Sequence, residues 1–106
     1  MYNSEDIDRI RLIRTKIEYI LEICSIGIVK ALEDEKITKP AIMMHLTSIA
    51  EQFSKIKNSE LLSNFDNEDV KGAIDTRNFI AHDYEDVIKQ RLPIIKQSVL
   101  NILNTK

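Results

Sequence analysis

The chain has 106 residues, of which 43% are hydrophobic and 30% are charged. This balance is typical of a folded globular protein and argues against an intrinsically disordered chain. The length suits one domain, so residues 1–106 are expected to form a single helical domain. An all-β fold needs many turns, and two glycines and two prolines are too few turn-forming residues for it. The composition therefore predicts an all-α protein.

The charge balance is slightly acidic. Fifteen Lys and Arg residues against seventeen Asp and Glu residues give a formal charge of -2 and a pI near 5.7. Proteins that bind long nucleic acids through bulk charge usually carry a basic patch or stripe. The overall charge therefore gives poor support for that kind of binding, although a local basic cleft on an acidic body stays open.

Three features predict a cytoplasmic protein. The longest run without Asp, Glu, Lys or Arg is Pro40–Ala50, whereas a bilayer span needs about 20 apolar residues. Met1–Arg11 is rich in charge and lacks the apolar region of a signal peptide. Cys24 is the only cysteine, which excludes an internal disulfide and a cysteine metal cluster. Neither a metal nor a cofactor is expected.

The first predicted helix runs from Ser4 to about Asp34 as one long rod. Apolar residues recur along it every three or four positions, the spacing of one helical face. Ser4 is the predicted N-cap, since its hydroxyl can accept from backbone amides of the first turn. Such rods usually belong to helical bundles.

The second predicted helix begins at Thr38, which is its expected cap, and has Pro40 in its first turn. Its polar positions, predicted to face away from the core, are Glu51, Gln52 and Lys55. Its predicted buried face consists of Ile42, Leu46, Ile49, Ala50, Phe53 and Ile56. Residues 58–65 form a polar linker with room for one helical turn.

Two more helices are predicted in the second half of the chain. Asp66 is the expected cap of the third and Asp83 of the fourth. Pro93 lies inside the fourth helix and cannot donate to residue 89, so a kink or break near Lys89–Leu92 is expected. The whole pattern predicts a four-helix up-and-down bundle whose last helix is kinked or broken near Pro93.

Arg77 breaks the apolar pattern of the third helix, because its spacing places it on the hydrophobic stripe. A guanidinium on a buried face is costly unless a carboxylate, phosphate or carbonyl pairs with it. His82 follows five residues later, and on one unbroken helix the two positions lie about 140° apart. A helix end between Ile80 and Asp83 would let the two side chains converge.

The segment Arg77–Tyr84, with the sequence RNFIAHDY, resembles the HepT-like branch of the HEPN superfamily. The signature of that branch is Arg, four residues, His, one residue and Tyr, commonly with Asn after the Arg. Leu46–Glu51 is similar to the family's second-helix run, and Pro93 stands where the family's last helix carries a proline. Val70 and Asp75-Thr76 depart from the frequent Trp and Gly-Met, at positions that pack the motif rather than react.

The resemblance implies a metal-independent endoribonuclease toxin that acts as a homodimer. It also implies a partner, a minimal nucleotidyltransferase antitoxin that silences the toxin by transferring AMP to the motif tyrosine, here Tyr84. Arg77 and His82 take the catalytic positions, and Asn78 takes a supporting one. RNA is the implied substrate.

These residue types suit RNA cleavage in which the neighbouring 2′-OH attacks the phosphate. Histidine titrates near neutral pH and serves as either acid or base. Arginine offers a fixed, bidentate positive fork for phosphate oxygens. One histidine cannot begin the reaction both neutral and protonated, so we expect His82 and its symmetry mate to share one cleft.

Two other functions stay open. A non-catalytic module that binds RNA or nucleotide, or that escorts a nucleotidyltransferase, agrees better with the acidic pI. A plain interaction domain that dimerises through helix faces is the third candidate. Taken singly, Arg77 would be an ordinary helix arginine paired with Asp75 or Asp69. His82 would be a helix-terminus or interface histidine, and Tyr84 a core residue with its hydroxyl at the rim.

Overall fold

The computed structural model describes residues 3–65 and 81–105, and of residues 81–83 and 105 it describes the backbone alone. This part of the chain is helical and contains no strand, so the all-α class is confirmed. The helices are, in chain order, α1 (Ser4–Ile23), α2 (Ile28–Glu33), α3 (Thr38–Lys55), α4 (Ser59–Leu62), α5 (Ala81–Asp86) and α6 (Leu92–Thr105). The predicted helix that starts at Asp66 lies outside the described residues, so the four-helix count stays a prediction.

Helix α1 begins at Ser4, but its cap is the preceding residue. The side-chain oxygen of Asn3 accepts a hydrogen bond from the backbone N–H of Asp6 at 2.8 Å. The prediction of Ser4 as the cap is therefore wrong by one position, because Ser4 already has helical geometry and the N-cap is the residue that immediately precedes the helix.

The predicted single rod from Ser4 to Asp34 is also wrong, because α1 ends at Ile23. A 3-10 turn, Cys24–Ile26, follows, and then Gly27 adopts φ 111° and ψ 134°. This is backbone geometry that residues with a Cβ rarely adopt. The chain therefore changes direction at Gly27, and α2 starts as a separate helix.

Helix α3 has the predicted start and the predicted buried face. Thr38, however, is not its cap: the Thr38 hydroxyl donates to the carbonyl of Ala31 at 2.6 Å and so ties the start of α3 to α2. Gln52 was expected to face away from the core, yet it is only 8% exposed. It lies beside α1, where its side-chain oxygen accepts from the Arg9 guanidinium at 3.3 Å.

Asp6 links α1 to the segment that follows α3. Its side chain is 2% exposed, and its two carboxylate oxygens accept from the backbone N–H groups of Lys57 and Asn58 at 3.3 and 3.2 Å. Asn58 in turn caps the single turn of α4 by accepting from the backbone N–H groups of Glu60 and Leu61. The one helical turn predicted within the polar linker is confirmed.

The last helical rod is continuous but irregular. Helix α5 leads into a π-helical turn, Val87–Arg91, which passes directly into α6. The irregularity expected near Lys89–Leu92 is therefore a π turn rather than a break. Asp83 lies within α5, so its predicted role as the cap of the fourth helix is wrong. Whether the preceding helix ends before Ala81 lies outside the described residues.

Helix α1 is the centre of the packing, since it contacts both α3 and α6, while α2 contacts α3 and α5. Helices α1 and α3 run antiparallel, since Arg9 bonds Gln52 near one end of α1 and the Tyr19 ring contacts the His45 ring near the other. None of the described helices is long and apolar enough to cross a bilayer. The described core is built largely from Ile7, Ile10, Ile13, Ile17, Ile20, Ile42, Leu46, Ile49, Phe53, Ile88, Leu92, Ile95, Val99 and Ile102.

We expect Asp6→Ala to lower the free energy of unfolding by about 3 kcal/mol, because hydrogen bonds to a charged group contribute about 1.5–3 kcal/mol each. Urea denaturation monitored by circular dichroism measures the loss. Asp8→Ala is the matched control: Asp8 is exposed and pairs with Arg11 at 3.2 Å, and such pairs contribute about 0–1 kcal/mol. Equal effects of the two substitutions would contradict the structural role of Asp6.

Gly27→Ala is expected to lower the free energy of unfolding by about 1–3 kcal/mol, the usual cost of a side chain in a disfavoured backbone region. Space is not the reason, since the nearest atom to an added Cβ is the Lys30 Cβ at 4.0 Å. The same denaturation experiment on Ser25→Ala, an exposed neighbour, provides the baseline. An unchanged midpoint for Gly27→Ala would show that the backbone at residue 27 can relax without cost.

Candidate functional site

The motif is divided between the described and the undescribed parts of the chain. Arg77 and Asn78 lie outside the described residues. His82 is described by its backbone, which is helical, and Tyr84 is described in full. The predicted convergence of Arg77 and His82 stays a prediction. Residues 81–86 form one helix, so a helix end between Ile80 and Asp83 would have to precede Ala81, outside the described residues.

Tyr84 is a core residue. Its side chain is 5% exposed and belongs to the main hydrophobic cluster, together with Val87 and Ile88 of the π turn. This agrees with its spacing four residues before Ile88. A group attached to the Tyr84 hydroxyl must occupy space beyond this core, since protein interiors leave few voids larger than a water molecule.

Helix α5, which carries His82 and Tyr84 and is called the motif helix, is supported by α2, which packs against it. Ala31 of α2 is fully buried, and its carbonyl receives the hydrogen bond from the Thr38 hydroxyl. The motif helix therefore rests on a short helix that is itself fixed to α3. This support was not predicted from the sequence, and the available signal was Gly27 interrupting the long apolar stripe.

Two basic residues follow Tyr84 in the π turn. The Lys89 ammonium pairs with the Glu85 carboxylate at 2.8 Å, and both side chains are partly exposed, at 54% and 39%. Arg91 is half-buried. An exposed ion pair of this kind contributes less than about 1 kcal/mol, so Lys89 can exchange Glu85 for a phosphate at small cost.

A second cluster of chemically active side chains joins α1 and α3. The rings of Tyr19 and His45 lie 5.3 Å apart, and the Lys16 ammonium lies 5.7 Å from the centre of the Tyr19 ring. Partial burial, and then the charge of Lys16, lower the pKa of His45 below its usual range. His45 therefore favours the neutral form near pH 7, which suits packing against a ring more than exchanging protons with a substrate.

Among the side chains that the structure describes, those of residues 3–65 and 84–104, no three His, Cys, Asp or Glu residues are grouped to hold a metal ion. Cys24 is half-buried, and its burial raises the pKa of the thiol. A raised pKa leaves less thiolate at neutral pH, which disfavours metal binding and nucleophilic chemistry at this residue.

One comparison with known proteins identifies a family for this chain. A family model described as "Ribonuclease HepT-like" matches residues 3–104, nearly the whole chain. Comparisons with curated proteins and with solved structures give no match. The match to the family model extends over the described helices and over the motif segment alike, and the chain belongs to the HepT-like family of ribonucleases.

Proposed function

We propose that this protein is an endoribonuclease toxin that cleaves RNA without a metal ion, through Arg77 and His82, at a cleft between two copies of the chain. The observation that carries the proposal is the family match over residues 3–104 in a chain that contains the complete Arg-x4-His-x-Tyr motif. We expect the protein to act in the cytoplasm and to be silenced there by a minimal nucleotidyltransferase antitoxin.

The reaction needs three functions from the protein. A base removes the proton of the 2′-OH, whose oxygen then attacks the adjacent phosphorus. An acid protonates the departing 5′-oxygen, and a cation stabilises the additional negative charge on the phosphate in the transition state. The products are a 2′,3′-cyclic phosphate and a free 5′-hydroxyl.

His82 supplies the proton transfers in this scheme. It starts neutral in one protomer and protonated in the other, so that the pair provides base and acid together. Arg77 binds the phosphate oxygens with two parallel N–H groups, and Asn78 supports the arrangement of the motif. The chain has only one other histidine, His45, which contacts Tyr19 on the α1–α3 side of the molecule.

Tyr84 is the proposed point of control. In the modification its hydroxyl oxygen attacks the α-phosphate of ATP, the bond to pyrophosphate breaks, and the phenolic proton is released. The ring is 5% exposed, so the attached AMP projects from the edge of the core beside the motif helix. The added negative charge then competes with RNA phosphate for Arg77.

A non-catalytic RNA- or nucleotide-binding role is the second candidate, and the formal charge of -2 favours it. Such a module has no need of His82 for its action. Binding of RNA that survives loss of His82 but not loss of Arg77, without any cleavage, would identify this role.

Cleavage of RNA by purified protein in excess EDTA is the first test. We expect His82→Ala to lower the cleavage rate by about 10²–10⁴-fold, the usual contribution of a positioned acid or base. His45→Ala is the matched control, because it removes the other histidine of the chain and is expected to leave the rate within about threefold of wild type, since His45 packs in a separate cluster. Absence of cleavage, or equal rates for wild type and His82→Ala, would refute the nuclease proposal.

Modification of Tyr84 is tested by mass spectrometry after incubation with ATP and a minimal nucleotidyltransferase encoded beside this chain. We expect the mass gain of one AMP per chain, lost in Tyr84→Phe and kept in Tyr19→Phe. Tyr19 is the better exposed of these two tyrosines, at 45% against 5%, so the control separates recognition of the motif from simple accessibility. A gain that persists in Tyr84→Phe would place the control at another residue.

A further inference from the structure

The π-helical turn lies directly between the motif helix and the long C-terminal helix. Within this turn the backbone N–H of Leu92 donates to the carbonyl of Val87, five residues earlier, whereas an α-helical bond spans four. Single π turns of this kind inside α-helices are frequently found at functional sites. Here the turn begins three residues after Tyr84.

Pro93 explains why the turn occurs at this place. It has no N–H to donate to the carbonyl of Lys89, and in a regular α-helix its ring would clash with that carbonyl. Widening the preceding turn separates the two groups while the Leu92–Val87 bond keeps the rod continuous. The irregularity thus follows from the residue immediately after Leu92.

The π turn changes the angular position of α5 about the rod axis relative to α6. Because a π bond encloses one residue more than an α bond, one such turn offsets α5 from α6 by the angle of one residue, about 100°. Without the turn, residue 82 would lie about 100° further around the rod axis, measured relative to the core-facing side of α6. Catalytic groups tolerate far smaller displacements, since an error of 1 Å can cost about 10²-fold in rate.

The rod can bury its apolar side chains equally well with the π turn and without it. At 100° per residue, the buried positions of the rod occupy an arc of about 140° when the rod is purely α-helical. With the π turn, every position after the turn is shifted by about 100°, and the same buried positions again occupy an arc of about 140°. The positions counted are Tyr84, Val87, Ile88, Leu92, Ile95, Val99 and Ile102, all of which are buried.

We propose that Pro93 is a positioning residue: by maintaining the π turn at Val87–Arg91, it sets the rotation of α5 and thereby the angular position of residue 82 about the rod axis. This inference rests on the proposed nuclease function for its catalytic consequence. The rotation itself is a property of the fold and can be measured without RNA.

The catalytic test uses a substitution and a compensating deletion. Pro93→Ala restores the N–H and allows the turn to wind as an α-helix, which rotates α5, so we expect cleavage to fall by about 10²-fold. Deleting Gln90, an exposed residue of the turn, from the Pro93→Ala variant removes one residue and restores the rotation. Cleavage by this double variant is expected to return to within about tenfold of wild type, a rescue that a merely stabilising role of Pro93 would not produce.

Pro40→Ala is the matched control, because Pro40 is the other proline of the chain and lies in the first turn of α3, where a backbone N–H has no partner within the helix. We expect its cleavage rate to equal that of wild type. Circular dichroism and thermal unfolding verify that each variant is folded, and alanine is the residue best tolerated in a helix.

The structural test measures the distance between spin labels on α5 and α2, which pack against each other. Labels at Asp86→Cys and Lys30→Cys, both exposed positions, are introduced into a Cys24→Ser chain. A point about 5–6 Å from a helix axis moves about 8 Å in a rotation of 100°. We therefore expect Pro93→Ala to shift the distance by several ångströms and the double variant to restore it.

An unchanged label distance in Pro93→Ala would overturn the inference, and so would a loss of cleavage that deletion of Gln90 does not rescue. A wild-type chain without His82-dependent cleavage would instead refute the nuclease proposal. In that case the label distances still decide whether Pro93 sets the rotation of α5.

Discussion

The buried isoleucine face of α1 is the contact on which the rest of the structure depends. Four of its isoleucines, Ile10, Ile13, Ile17 and Ile20, are fully buried, and the helix packs against both α3 and α6. Fully burying one such side chain stabilises the fold by about 1.5–3 kcal/mol. Because α3 and α6 both pack against α1, this face also sets the distance between α3, in the first half of the chain, and α6, in the second half.

Two interruptions of the helical pattern determine where the motif helix lies. Gly27, after the 3-10 turn that follows α1, separates α1 from α2, and α2 packs against α5. Pro93 lies two residues after the π turn that connects α5 to α6. Each acts through the backbone, one by adopting a positive φ and the other by lacking an N–H. Residues far from the proposed chemistry thus control the orientation of the segment that carries it.

The burial of Tyr84 links stability with control in the proposed function. The ring contributes to the core, while its hydroxyl is the proposed acceptor of AMP. A residue with both roles cannot be replaced by a small side chain without loss of packing, since removing a buried aromatic ring typically costs about 3–5 kcal/mol. Phenylalanine keeps the ring and removes only the acceptor, which separates the two roles.

The sequence alone determined the all-α class, the buried face of α3, the turn of α4 and the irregularity near Pro93, because these follow from local spacing and from the missing N–H of proline. It also carried the motif by which the family was recognised. Tertiary structure decided that Gln52 is buried beside Arg9, that Asp6 binds the backbone of Lys57 and Asn58, and that α2 supports α5. Those contacts join residues about 40 to 50 positions apart, so they depend on how the helices are placed in space, which periodicity along one helix does not encode. The sequence left open whether the last helix would kink, break or widen into a π turn, because the missing N–H of Pro93 is compatible with each of these, and only the structure shows the π turn.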